Sequence, residues 1–120
     1  MYFRSHRILI VEDEIFLAAE LEDIFRDAGA EVIGPAMTAP EALRLIARHV
    51  VTVALLDVQL GDHDSRPVAQ CLADTGIPFV FHTGNAETDT LLKSWPKASI
   101  VKKPAMPQAL VAALVAATRT

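Results

Sequence analysis

With Cys71 as its single cysteine, the chain can form neither an intramolecular disulfide nor a zinc site built from several thiolates, and this scarcity fits a reducing compartment. Positive charge is also short. Lys and Arg number 11 against 15 Asp and Glu, a net charge of -4, so no broad cationic field is available for a phosphate backbone and nucleic-acid binding is not expected. No apolar run is long enough to cross a membrane, and Met1 to His6 is too short for a secretory leader. Glycine and proline are few, 5 and 7, and no repeat or low-complexity stretch interrupts the chain. What is present is apolar: 52% hydrophobic residues in 120, enough to bury one core and too short a chain for two ordinary domains. The expectation is one cytoplasmic domain over residues 1–120.

Apolar patterning alternates along that domain. Ile8-Leu9-Ile10-Val11 is a continuous, mostly β-branched run of the kind a strand buried on both faces requires. Leu17, Leu21, Ile24, Phe25 and Ala28 then recur at helical spacing, and Gly29 follows where a helix would stop. Glu31-Val32-Ile33 reads as a second strand, and Thr38-Ala39-Pro40-Glu41 as a capping box opening a helix with Ala42, Leu43 and Ile46. A third strand, Val51 to Leu56, runs into Asp57. Ser65 is placed to cap a helix carrying Pro67, Val68, Ala69 and Leu72. Ile77 to His82 is a fourth strand, Leu91, Leu92 and Trp95 mark a weakly patterned helix, and Ile100-Val101 is a short fifth strand. Pro107 opens a final helix to about Arg119. Five strand–helix units predict an α/β fold, a doubly wound parallel sheet covered by helices on both faces.

Ligand sites in open parallel sheets lie at the carboxyl ends of the strands. There the chain sets Glu12, Asp13 and Glu14 after the first strand, Asp57 after the third, Thr83 after the fourth, and Lys102 and Lys103 before Pro104 after the fifth. Glu12, Asp13 and Asp57 gathered in a partly desolvated pocket repel one another unless a cation neutralises them. Oxygen ligands suit Mg²⁺, which keeps waters and leaves positions for phosphate oxygens. A carboxylate can be the nucleophile of phosphoryl transfer when cationic groups balance the charge, and a lysine serves that end. A threonine hydroxyl can bond a phosphoryl oxygen and report its presence. Glu14 reads as a helix-terminal residue, and His6, His49, His63 and His82 show no metal-binding spacing.

Ile8-Leu9-Ile10-Val11-Glu12-Asp13-Glu14, Leu55-Leu56-Asp57-Val58, His82-Thr83-Gly84 and Val101-Lys102-Lys103-Pro104 together resemble, in order and spacing, the receiver domains of bacterial two-component response regulators. The resemblance covers essentially the whole chain. It implies the flavodoxin-like strand order 2-1-3-4-5 with five helices, a known arrangement for receivers. It further implies Asp57 as phosphoacceptor, Asp13 as direct metal ligand, Glu12 as an acidic partner acting through water, and the main-chain carbonyl of Gln59 as a further ligand. Lys103 resembles the lysine that pairs with the phosphoryl group, and Thr83 the switch hydroxyl. Phe81-His82-Thr83-Gly84 is similar to the Phe-Ala-Thr-Gly run of a stand-alone receiver subclass, which implies that stand-alone form, a fragment of a longer regulator being the alternative. Two positions depart from the pattern. Ile100 stands where many receivers carry an inward-turning aromatic, and Ala105 where an aromatic often follows Lys-Pro.

The function so implied is a phosphoryl-accepting switch. Mg²⁺-dependent transfer from a histidine kinase or histidine phosphotransfer protein to Asp57 would change a surface that binds a downstream protein. Such a chain catalyses only its own phosphorylation and dephosphorylation and is not a turnover enzyme. The alternative is a non-phosphorylated pseudo-receiver that only binds proteins. An aspartyl-phosphate phosphatase would want an acid/base carboxylate two residues after the nucleophile, where Gln59 stands. Gln59 and Asn85 are placed to influence attacking water. The last helix, Ala109-Leu110-Val111-Ala112-Ala113-Leu114-Val115-Ala116-Ala117, carries no charge on any face, which offers a homodimer or partner surface made with the fifth strand and the fourth helix.

Overall fold

The computed structural model describes residues 3–60, 63–84 and 88–119. In chain order its elements are β1 (Arg7–Val11), α1 (Ile15–Asp27), β2 (Glu31–Ala36), α2 (Ala39–Arg48), β3 (Val53–Asp57), β4 (Gln59–Leu60), β5 (His63–Asp64), α3 (Arg66–Asp74), β6 (Phe79–Thr83), α4 (Thr88–Ser94), β7 (Ser99–Lys102) and α5 (Pro107–Ala117). The main sheet has five strands in the order β2-β1-β3-β6-β7, all paired in parallel. Leaving out the small antiparallel pair β4–β5, that is the order 2-1-3-4-5 and the doubly wound fold expected from the sequence.

Alternation along the strands explains why they are apolar throughout. Ile8, Ile10, Val53, Leu55 and Val80 face α1 and α5, where they meet Leu21, Phe25, Leu110 and Leu114. Leu9, Val11, Ala54, Leu56 and Phe81 face the other way, onto Ala42, Val68, Leu72 and Leu91. With a helical layer on each side, neither face of a central strand can be polar.

Three local outcomes differ from the expectations. β2 runs on through Gly34 and Pro35 to Ala36, because it is an edge strand, where a proline's missing N–H is tolerated. Gly34 sits at φ +92, and a Cβ there would come 2.7 Å from the nitrogen of Ala36. The register against β1 shifts at this point. Ser65 precedes α3 but its side chain makes no cap; Asp64 Oδ1 accepts the Arg66 N–H at 2.7 Å instead, and Asp64 also pairs with the Arg66 guanidinium. The third strand begins at Val53 and the fourth at Phe79, each two residues later than the apolar runs. Thr38 does cap α2, accepting the Glu41 N–H at 3.2 Å.

The segment before β1 is part of the core. Phe3 is fully buried, its N–H donates to the Ala28 carbonyl at 2.9 Å, and its ring meets Phe25 edge-on at 5.9 Å. It plugs the end of the α1 layer.

The last helix is not covered all round. Leu110 and Leu114 are buried, Val111 and Val115 half-buried, and the outward positions are Gln108, Ala109, Ala112 and Ala116. The most exposed large hydrophobic side chains lie elsewhere, at Phe16 (88%), Met106 (69%), Ile15 and Val50. Among the described residues no helix is long and apolar enough to cross a membrane.

Candidate functional site

The C-terminal ends of β1, β3, β6 and β7 bring Glu12, Asp13, Asp57, Thr83 and Lys103 to one edge of the sheet. Register fixes part of this arrangement. Val11 pairs with Leu56, so Glu12 follows β1 level with Asp57, while Asp57 pairs with His82 and Thr83 with Lys102. The turn after β7 is anchored by the Lys103 N–H, which donates to the Thr83 carbonyl at 2.8 Å.

Lys103 reaches back over the site. Its Nζ donates to Asp57 Oδ2 at 3.0 Å and to Glu12 Oε1 at 3.3 Å. The Asp57 and Glu12 side chains are 9% and 2% exposed and that of Lys103 28%, so this is a partly desolvated cluster in which charges interact strongly. Glu12 Oε2 accepts the Glu14 N–H at 3.2 Å, which fixes the carboxylate at the head of α1. Glu14 is the N-cap residue of that helix, as its position suggested.

Electrostatics follow from the crowding. Burial, then the adjacent Asp57, pushes the Glu12 carboxyl from 4.5 up to about 7. Burial alone would lower the Lys103 ammonium, but its hydrogen bond to Asp57 and the attraction of both carboxylates leave its pKa raised. The His82 imidazole, 3% exposed, is pushed down by burial and then by the Lys103 charge, so it is held neutral; both of its nitrogens lack a partner among the described residues.

Glu12, Asp13 and Asp57 each offer a carboxylate oxygen within 4.8 Å of the others. An all-oxygen donor set in which burial and a neighbouring carboxylate hold Glu12 protonated to near neutrality fits a hard divalent cation, whose charge would favour the ionised form. Gln59 lies in β4, two residues past Asp57 and paired with Asp64. Asp64 is committed to Arg66 and the start of α3. Asn85 lies outside the described residues. The hairpin β4–β5 and the burial of His82 were not foreseen from the sequence; the alternation that points Val80 inward from β6 points His82 inward as well.

A consequence of the raised Glu12 pKa is testable without any ligand. The unfolded chain loses this proton near its ordinary value of 4.5 and the folded chain only near 7, so metal-free stability falls as pH rises across that window and then levels off. Glu12→Gln, which cannot ionise, escapes this loss. The stability difference in favour of the variant is expected to grow by up to about 3 kcal/mol between about pH 5 and about pH 7.5, read by urea denaturation in chelator. His82 acts in the opposite sense, but equally in both proteins, so it cancels. A difference that stays flat over that range contradicts the raised pKa.

A doubly wound sheet with a basic and acidic cluster at its carboxyl edge is the class of protein these features define. The chain belongs to the response regulator receiver domain family, whose family model matches residues 8–115. It is thus a receiver module of two-component signalling. It is 31% identical over 84 residues to the transcriptional regulatory protein PdtaR of Mycobacterium tuberculosis, covering 69% of this chain and 41% of that protein. It is 32% identical over 103 residues to the phyllosphere-induced regulator PhyR of Methylorubrum extorquens, covering 83% of this chain and 39% of that protein. The chain therefore spans about two fifths of the length of these curated relatives. Among solved structures, that of SdrG from Sphingomonas melonis Fr1 superposes with a TM-score of 0.81 at 33% identity, covering 100% of this chain and 99% of that one.

Proposed function

We propose that this chain is a phosphoryl-accepting switch with Asp57 as the acceptor. The observation that carries the reading is the contact of Lys103 Nζ with Asp57 Oδ2 at 3.0 Å, beside Glu12 and Asp13, at the carboxyl edge of the sheet. An Asp57 oxygen attacks the phosphorus of a phosphohistidine. The O–P bond forms as the N–P bond breaks, and the imidazole nitrogen keeps the electron pair and takes up a proton. Lys103 follows the charge from the carboxylate to the phosphoryl oxygens, for which its donors are already in place. Glu12, Asp13 and Asp57, with the main-chain carbonyl of Gln59, would hold Mg²⁺. When bound, that ion supplies further positive charge to the transferring group. Thr83, buried at the end of β6, donates its hydroxyl to a phosphoryl oxygen and converts the modification into a displacement.

Donor and output are proteins in this reading. Ile15 and Phe16 open α1 directly after Glu12 to Glu14, and Met106 follows Lys103 by three residues, so exposed apolar side chains adjoin the site in sequence on both sides. A histidine kinase or histidine phosphotransfer protein docks there, burying side chains that are otherwise wet. A downstream protein reads the altered surface. The chain catalyses only its own phosphorylation and dephosphorylation.

Intact mass after incubation with acetyl phosphate or phosphoramidate tests the reading. One phosphoryl adduct is expected with Mg²⁺ and none with chelator. No adduct under any condition would leave a receiver fold that acts only by binding proteins.

A further inference from the structure

His82 is a buried polar group to which the phosphoryl chemistry above gives no part. It lies near the end of β6 on the face that Val80 turns toward α1 and α5, it is 3% exposed, and neither Nδ1 nor Nε2 has a partner among the described residues. The similar run Phe-Ala-Thr-Gly carries alanine at this place, so the imidazole is this chain's own feature. Keeping both ring nitrogens unpaired away from water costs free energy, and the ring calls for a polar neighbour.

Lys103 is that neighbour. β6 lies between β3 and β7, so a lysine that starts after β7 and reaches Asp57 at the end of β3 has to pass over the end of β6, where His82 sits. Asp57 and His82 are register partners, and the Lys103 N–H to the Thr83 carbonyl at 2.8 Å ties the lysine backbone to the next residue of that strand. An ammonium has three donors. Asp57 Oδ2 and Glu12 Oε1 take two of them, and the third has no acceptor among the described residues. A spare donor and a spare acceptor thus share one desolvated cluster. The Lys103 charge is felt at His82, where it adds to burial in keeping the imidazole neutral and its lone pair available.

We infer that His82 is a positioning residue for Lys103, taking up the third ammonium donor directly or through one bound water. The inference rests on the phosphoryl-accepting reading above. It gives Lys103 an anchor that is not a carboxylate. In that reading Asp57 turns from carboxylate to acyl phosphate and Glu12 is a ligand of the cation, so both present partners of the lysine change as the group is transferred. His82 does not change, and the ammonium it holds stays where the phosphoryl oxygens arrive.

The test compares the native chain with His82→Leu and His82→Gln. It reads the rate of adduct formation with acetyl phosphate and Mg²⁺ by intact mass, and the urea midpoint of the same proteins in chelator. Leucine keeps much of the ring's volume without an acceptor, whereas glutamine keeps an amide oxygen. Expected in His82→Leu is a rate about tenfold lower with a midpoint no lower than the native one, since an apolar side chain suits this face. His82→Gln is expected to recover the rate to within about threefold of native. In the metal-free chain, nitrogen NMR of the His82 ring is expected to shift when Lys103→Met removes the donor. A native rate in His82→Leu overturns the inference and leaves Asp57 chemistry standing. So does a His82→Gln as slow as His82→Leu, a midpoint that falls together with the rate, or a His82 ring signal indifferent to Lys103→Met. No adduct on the native chain overturns this inference and the underlying reading together. Should His82→Leu not fold, His82→Ala, which restores the residue of the similar run, takes its place under the same outcomes.

Discussion

Asp57→Asn is expected to take up no phosphoryl group from acetyl phosphate at any Mg²⁺ concentration, and to be more stable than the native chain when metal is absent. Loss of the adduct follows because an amide oxygen is too poor a nucleophile to replace the carboxylate. The gain in stability follows from the charge count. Lys103 is shared by two buried carboxylates, and burial together with Asp57 raises Glu12 to about 7. Removing one negative charge leaves Lys103 and Glu12 as a balanced pair and lets Glu12 ionise nearer its ordinary value. The gain at neutral pH is on the order of 1 kcal/mol, since Lys103 also loses part of its attraction to position 57. Urea denaturation in chelator, with intact mass as the chemical readout, checks both halves. An Asp57→Asn chain that still accumulates an adduct removes Asp57 from the mechanism.

Phe3→Ala is expected to cost about 3 kcal/mol, which for a chain of this size lowers Tm by on the order of 10 °C. Its ring is fully buried, edge-on to Phe25 at 5.9 Å and to His6 at 6.3 Å, and truncation opens a cavity the surrounding helices cannot fill. The cavity sits at the end of α1 opposite the acidic site, since α1 begins beside Glu14 and Phe3 bonds to Ala28 past its last residue. Thermal melting monitored by circular dichroism measures the effect. A variant within about 0.5 kcal/mol of the native chain would show that the N-terminal turn contributes little to the core.

Much of the fold was legible because its strongest determinants are periodic. A run such as Ile8 to Val11 has to be buried on both sides, and five such runs separated by helical patterns leave a covered parallel sheet as the economical solution. The carboxyl-edge rule gathers Glu12, Asp13, Asp57, Thr83 and Lys103 from the order of strands alone. Less legible was everything decided by local competition. Asp64 outbids Ser65 for the first amide of α3 because its carboxylate reaches Arg66 N as well as the Arg66 side chain. The second strand reads as Glu31 to Ile33, yet it continues through Gly34-Pro35 as an edge strand. Phe3 lies in a segment with no periodicity, so its burial against Phe25 could come only from tertiary packing. His82 reads only as the end of the fourth strand, a histidine without metal-binding spacing, and the pairing of β6 with β3 shows it to be buried and neutral beside the site.

The central claim is that the phosphoryl group resides on Asp57. Its most direct test is borohydride reduction of the chain after treatment with acetyl phosphate and Mg²⁺, followed by peptide mapping, since reduction converts an aspartyl phosphate to homoserine with release of phosphate. Homoserine at position 57, absent when chelator is present during phosphorylation, is the result this account predicts. Homoserine at another acidic residue, or none in a chain that carries the adduct, would contradict it.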